Sequence, residues 1–280
     1  MKNLVSTANL VSTDYLAAHL SDVRVVDASW YMPDEKRAPA KEFEAGHIQG
    51  AVFFDIDGIA DHSVNLPHML PAPGEFSKAV GELGIGDGDK IVIYDGSGQF
   101  SAARAWWTFK AFGHDEVKVL DGGFPKWRRE GHAIETGPAR PANKFFTAIL
   151  KSSLVRDFDA VMGMVKDKSA QIVDARSPAR FNAQEPEPRP GVRGGHMPGA
   201  LNVHYRKLIA DNGTLKPPEE LRAAFAAADL NLPIVTSCGS GLTAAILLLA
   251  LDEIGARNVA LYDGSWTEWG ARAEAPVVTS

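Results

Sequence analysis

Residues 233–251 read PIVTSCGSGLTAAILLLAL, and residues 90–107 read KIVIYDGSGQFSAARAWW. Each opens on a short apolar run, passes through a tight loop with two glycines, and continues into a longer stretch of small and apolar residues. That pattern predicts a buried strand turning directly into a helix. The loops share Gly-Ser-Gly but begin differently, with Asp95 in one and Cys238 in the other. Cys238 is the only cysteine among 280 residues.

The surrounding chain repeats with the loop. VRVVDASW (23–30) is echoed by AQIVDARS (170–177), and EAGHIQGAVFFDI (44–56) by RGGHMPGALNVHY (193–205). VKVLDGGFPKW (117–127) is echoed by VALYDGSWTEW (259–269), at an offset of about 145 residues throughout. A period of that length means two similar domains rather than a solenoid. The reading is residues 1–138, a linker at 139–152 overlapping the Pro- and Gly-containing stretch ETGPARPANKFF (135–146), and residues 153–280. Within each half, apolar runs such as RVVDA, GAVFF, KIVIY and VKVLD read as buried strands. TDYLAAHL, GEFSKAVGELG and SAARAWWTFKAFG read as helices between them. Strands separated by helices predict an α/β fold, each domain a mainly parallel sheet with helices on both faces. Ligands of such sheets bind at the carboxyl ends of strands, where both loops fall.

Composition excludes several classes. Lys and Arg number 29 against 35 Asp and Glu, a net charge of −6. That argues against a general partner in nucleic acid or an anionic membrane surface. No run approaches the roughly 20 apolar residues of a membrane span, and the N-terminus has no sustained apolar core of a leader type. One cysteine forms no internal disulfide, no Cys/His cluster has metal-ligand spacing, and a cytoplasmic setting is the simplest expectation.

The duplication serves as an internal control. Features present in both halves read as structural: His47 with His196, the Asp-Gly pairs at Asp121 and Asp263 as turn chemistry, and Trp127 with Trp269 as packing. A feature of one half is a candidate for chemistry. The Asp/Cys exchange stands out, because a lone cysteine is more often a small buried hydrophobe, yet its partner position is polar and lies in a loop. Backbone N–H groups converging at a helix N-terminus hold anions, and a cysteine there is held as its nucleophilic thiolate.

These residues resemble the rhodanese superfamily over nearly the whole chain, in the form of tandem rhodanese-like domains with an inactive first half. Within it, CGSGLTA is similar to the CGSGVTA loop of the branch that uses 3-mercaptopyruvate, with Leu242 in place of Val. HMLP at His68, EPEPRPG ending at Gly191, LKPPEELR and LYDGSWTEWG are further echoes. The resemblance implies that Cys238 takes sulfur from 3-mercaptopyruvate as a persulfide and releases pyruvate. An acceptor such as thioredoxin, a small thiol or cyanide then removes the sulfur, with no cofactor and no metal. It assigns the substrate carboxylate to Arg180 and Arg189, whose forked donors suit it. Arg176 and Arg193 keep the reading of solvated surface charges. It assigns a proton relay to Ser240, His68 and Asp57, and loop N–H groups to Gly239, Gly241, Leu242 and Thr243. His68 and Asp57 come from the first half, so the site is expected between the halves. Ser97 occupies the place of Ser240 in the other loop, so a loop-holding and a chemical role for Ser240 are not separated.

Three rivals are weighed on the same residues. A thiosulfate sulfurtransferase is disfavoured because residues 239–243 contain no Arg or Lys. A cysteine phosphatase needs an arginine six positions after its cysteine, where Ala244 and then Ala245 stand. A non-catalytic rhodanese-like binding module would have lost the cysteine.

Overall fold

A computed structural model describes residues 6–279; the first five residues of the stretch read for a leader, and Ser280, lie outside them. The chain forms two compact units. The first comprises the chain up to Asp61, Pro71–Lys151 and Ala210–Leu215; the second comprises His62–Leu70, Ser152–Ile209 and the chain from Lys216 onward. The division therefore departs from a simple split at the linker. The linker residues cluster with the first unit, and each unit takes in one short segment from the other half of the sequence.

Twelve strands form in chain order: β1 Leu10–Val11, β2 Arg24–Asp27, β3 His47–Ile48, β4 Val52–Phe53, β5 Ile91–Tyr94, β6 Val117–Leu120, β7 Ile134–Glu135, β8 Val155–Arg156, β9 Gln171–Asp174, β10 Leu201–Asn202, β11 Ile234–Ser237 and β12 Val259–Tyr262. The first unit's main sheet has the order β1-β6-β5-β2-β4, and the second has β8-β12-β11-β9-β10 read from the matching edge. Every pairing in both sheets is parallel. The small β3–β7 pair is antiparallel, as are the isolated bridges Ser6–Val11 and His196–Val278. The strand runs predicted from RVVDA, GAVFF, KIVIY and VKVLD fall on β2, β4, β5 and β6, and the three predicted helices form at Thr13–Ala18, Pro73–Glu82 and Ala102–Ala111.

The central strands β5, β11 and β12 are buried at every position, which is why their sequences are continuous apolar runs without alternation. The helix after β11, Ala244–Glu253, is buried from Ala244 to Leu251. A helix apolar all round is a core helix. Among the described residues no helix is long and apolar enough to cross a membrane.

The internal control holds at the level of atoms. His47 stacks on Phe43 with ring centroids 3.9 Å apart, and its Nδ1 is 2.8 Å from the Phe43 carbonyl. His196 repeats this on Phe181, at 3.8 Å and 2.9 Å. Trp127 donates its Nε1–H to the Ala133 carbonyl and Trp269 its own to that of Pro276, both at 2.9 Å and both from fully buried rings. These residues hold the fold in each half.

One matched pair differs in a way that has an energetic consequence. Asp174, at the end of β9, is paired with Arg176. Its counterpart Asp27, at the end of β2, meets hydroxyls instead of a guanidinium: Ser29 donates both its N–H and its hydroxyl to Asp27 Oδ1, and the Tyr94 hydroxyl is a further hydrogen-bond partner. Burial pushes the Asp27 carboxyl up to about 6, against those hydrogen bonds. An acid raised on folding contributes stability that is fully present below its unfolded value near 4 and is lost as pH rises through the folded value. Asp27→Asn removes the ionisation and keeps an acceptor. Its unfolding free energy relative to the wild type should therefore improve between pH 4 and 7.5, by on the order of 2–3 kcal/mol. Denaturant titrations across that range check this; a difference that does not change with pH contradicts it.

Candidate active site

Both loops leave the carboxyl edge of a sheet and enter a buried helix, and both pass through a glycine in the left-handed region, Gly98 at φ 110° and Gly241 at φ 80°. In the first unit the loop closes on itself. Asp95 is fully buried. Its Oδ1 accepts the N–H of Ser97 at 2.8 Å, and its Oδ2 accepts those of Phe100, Ser101 and Ala102 at 2.8, 2.9 and 2.8 Å. Four N–H groups thus converge on one carboxylate. Charge-assisted bonds of this kind are short and strong, and together they hold the loop closed around the side chain.

In the second unit Cys238 stands at the same place, 2% exposed. The matching donors are Ser240, Thr243, Ala244 and Ala245. Ala245 gives its N–H to the Leu242 carbonyl at 3.2 Å. The N–H groups of Ser240, Thr243 and Ala244 donate to no acceptor among the described residues. The loop is held from outside instead. Cys238 N–H donates to Ser265 Oγ at 3.2 Å, the Trp266 N–H donates to the Cys238 carbonyl at 2.9 Å, and Thr267 gives both N–H and hydroxyl to the Gly239 carbonyl at 2.8 and 2.6 Å. Ser265 adopts φ 48° to make this contact. Leu242 is buried, while Gly239, Ser240 and Thr243 are half-buried.

Arg180 lies against this loop, and Arg189 bonds a residue that braces it. A Cβ placed on Gly239 would lie 3.1 Å from Arg180 Nη2, so the guanidinium sits against the loop backbone beside Cys238, where a larger residue would displace it. Arg189 Nη1 donates to Thr267 Oγ1 at 3.3 Å, the hydroxyl that grips Gly239. His68 belongs to the second unit, within His62–Leu70, and is buried at φ 62°. Asp57 belongs to the first unit, where its Oδ2 accepts the Trp30 Nε1–H at 2.7 Å.

One expectation is corrected. Arg176 is not a solvated charge: its side chain is 1% exposed. It is bidentate to Asp174, donates to the Gly195 carbonyl and to Glu187, and lies over the Trp266 ring at 4.2 Å. A guanidinium's five donors allow such burial where the acceptors surround it. Arg193 is exposed, as read, and its guanidinium also donates to the carbonyls of Trp269, Gly270, Arg272 and Ala275 in the C-terminal turn.

Sequence reasoning also passed over Glu187. Its carboxylate is 3% exposed and bridges Arg176 Nη1 at 2.8 Å and Arg180 Nη2 at 2.5 Å. A buried acid shared by two guanidiniums fixes both. The only signal was an acid between two prolines in the arginine-bearing stretch EPEPRPG. Among the described residues no group of His, Cys, Asp and Glu could hold a metal ion.

Comparison with known proteins identifies the family of the chain. A family model described as a rhodanese-like domain matches twice, at residues 12–130 and 157–272. The chain is 45% identical over 279 residues to the 3-mercaptopyruvate sulfurtransferase of Escherichia coli K12, covering 98% of this chain and 99% of that one. It is 44% identical over 296 residues to thiosulfate/3-mercaptopyruvate sulfurtransferase 2 of Arabidopsis thaliana, covering 97% and 86%. The crystal structure of SseA from Escherichia coli superposes with a TM-score of 0.86 at 42% identity, covering 93% of this chain and 99% of that chain.

The Asp95 loop makes a direct prediction. Asp95→Ala orphans four N–H groups, of which those of Ser101 and Ala102 are buried and cost roughly 1–3 kcal/mol each before relaxation, so melting should fall while Cys238 keeps its environment. Formate fits the vacated place. Adding it should restore part of the lost melting temperature in the variant and leave the wild type unmoved, as read by calorimetry with chloride as the ionic-strength control. Equal responses of both proteins would contradict the loop's role as an anion cradle.

Proposed function

The chain belongs to the rhodanese family, and from that premise we propose that it is a sulfurtransferase carrying sulfur from 3-mercaptopyruvate, through a persulfide on Cys238, to a thiol or cyanide. The observation that carries this reading is the exchange inside one loop: the position whose carboxylate gathers the loop N–H groups in the first unit carries a buried free thiol in the second. A place built for a negative charge holds a thiolate and then the anionic persulfide.

The steps balance as follows. The Cys238 thiolate attacks the donor's sulfur, an S–S bond forms, and the C–S bond breaks. The electron pair passes to the donor's carbon as the enolate of pyruvate, which takes one proton. A thiol or cyanide then attacks the outer sulfur and Cys238 leaves as the thiolate. In this reading the proton comes from His68, a residue type suited to proton handling near neutral pH, with Ser240 beside the reacting sulfur. The reading does not depend on Asp57. Gly239, Gly241, Leu242 and Thr243 form the backbone of the cradle.

Arg180 and Arg189 hold the donor's carboxylate, with Glu187 keeping the Arg180 fork turned toward Gly239. The wall around them carries two buried carboxylates, Asp174 and Glu187, against the three guanidiniums of Arg176, Arg180 and Arg189. One net positive charge suits a monoanionic keto acid better than the thiosulfate dianion. Acceptors such as thioredoxin and small thiols, and a reducing compartment such as the cytoplasm, fit a chemistry that needs a free thiol.

Cys238→Ser should abolish transfer from either donor. Intact mass after treatment with mercaptopyruvate and no acceptor should show one added sulfur on the wild type and none on the variant; sulfur retained by the Ser protein sinks the assignment. Arg180→Ala and Arg189→Ala should each lower kcat/KM for mercaptopyruvate roughly ten- to a hundredfold, the worth of a charge-assisted contact of about 1.5–3 kcal/mol. Lysine should rescue only partly, because the fork is lost. Side-by-side pyruvate and thiocyanate assays with mercaptopyruvate and thiosulfate measure this. Wild-type efficiency in either Ala variant would remove that arginine from the carboxylate site.

A further inference from the structure

The two segments that complete the units from the opposite half of the sequence end on the same contact. In the first unit, the Leu215 N–H donates to Asp121 Oδ1 at 2.8 Å. In the second, the Leu70 N–H donates to Asp263 Oδ2 at 2.8 Å. Asp121 and Asp263 follow β6 and β12 directly. The parallel register pairs Ile93 with Val119 and Thr236 with Leu261. Carried two residues onward, it sets Asp121 level with Asp95 and Asp263 level with Cys238, each one strand spacing, roughly 5 Å, away. These aspartates are therefore more than turn residues. Each catches an arm beside the residue that heads the loop.

In the first unit the arm's resting place is on view. A Cβ on Gly98, inside the Asp95 loop, would lie 3.5 Å from the Gly213 carbonyl oxygen. The arm 210–215 thus lies against the loop. The arms match in backbone too. Two residues before the latched leucine stand Gly213 at φ 85° and His68 at φ 62°. Glycine occupies the left-handed region without strain, whereas a histidine there is strained and must be held. The second arm puts a buried imidazole where the first has only a hydrogen.

We infer that Asp263 is a positioning residue: its carboxylate latches the arm 62–70 onto the catalytic unit and holds His68 over the Cys238 loop, where the enolate of pyruvate is protonated. The inference rests on the reading of His68 as proton donor. The first unit carries the same latch in a loop that does no chemistry, so Asp121 is a built-in control.

The test uses the full chain and the variants D263A, D263N, D121A, H68A and the D263A/H68A double variant. Hydrogen exchange reads the arms, and single-turnover pyruvate formation reads the chemistry. D263A should raise exchange across 62–70 at least tenfold and leave 210–215 protected. It should slow pyruvate formation roughly a hundredfold, the scale of a misplaced catalytic group, with no further loss in the double variant. Removal of sulfur from a preformed persulfide by cyanide should stay at the wild-type rate. D263N keeps an acceptor and should show the same changes to a smaller degree, which also covers instability of D263A. D121A should expose 210–215 and leave pyruvate formation unchanged. The inference is overturned if 62–70 stays protected in D263A and D263N, if D121A slows pyruvate formation as much as D263A, or if the losses in D263A and H68A multiply. Wild-type pyruvate formation by H68A would instead remove the proton role, and with it the positioning claim. Exchange across 62–70 would still decide whether Asp263 latches the arm.

Discussion

The structure depends on a constraint of backbone chemistry. When a buried strand turns through a tight loop into a buried helix, the first N–H groups of that helix have no partner within it. Sealed from water, they must be satisfied by something negative or polar. In the first unit the chain supplies that charge itself through Asp95, whose two oxygens take four N–H bonds. In the second unit the same place is given to Cys238, and the loop is braced from outside by Ser265, Trp266 and Thr267. Exchanging the carboxylate for a sulfur is what the proposed sulfur chemistry builds on.

The surroundings of the second loop follow from what such a cradle requires. In the proposed function a negative donor is brought to it, and the guanidinium of Arg180 lies against its backbone at Gly239. Unopposed, the guanidiniums would overcharge a half-buried site. Asp174 and Glu187 neutralise part of that charge and fix the directions of Arg176 and Arg180. Truncating one partner of such a buried network strands the other as an uncompensated charge, commonly at 3–5 kcal/mol. The arginine-bearing stretch 176–193 is thus both framework and binding wall.

Much of this was legible in the sequence because the chain repeats itself. The strands, their parallel pairing, and the packing roles of His47, His196, Trp127 and Trp269 all lie in motifs seen twice. Cys238 emerged by subtracting one half from the other, and Arg180 and Arg189 from a family resemblance; Arg180 lies against Gly239 and Arg189 bonds Thr267. What stayed hidden were contacts without local pattern. The burial of Arg176 depends on Asp174, Glu187 and the Gly195 carbonyl converging from separate segments. Glu187 lies in a proline-rich stretch with no periodicity to read. The exchange of 62–70 and 210–215 between halves leaves no trace in composition, since both stretches read as ordinary loops. A repeat reveals what two halves share; it is silent on which piece of chain completes which half.

The central claim is that the ring of N–H groups holding Asp95 in one unit holds the sulfur anion in the other. The most direct measurement is a high-resolution crystal structure of the protein treated with mercaptopyruvate in the absence of an acceptor. The account predicts a second sulfur on Cys238 within hydrogen-bonding distance of the N–H groups of Ser240, Thr243 and Ala244, at the place matching the Asp95 carboxylate. An added sulfur turned away from the loop, with those N–H groups bonded to water, would contradict it.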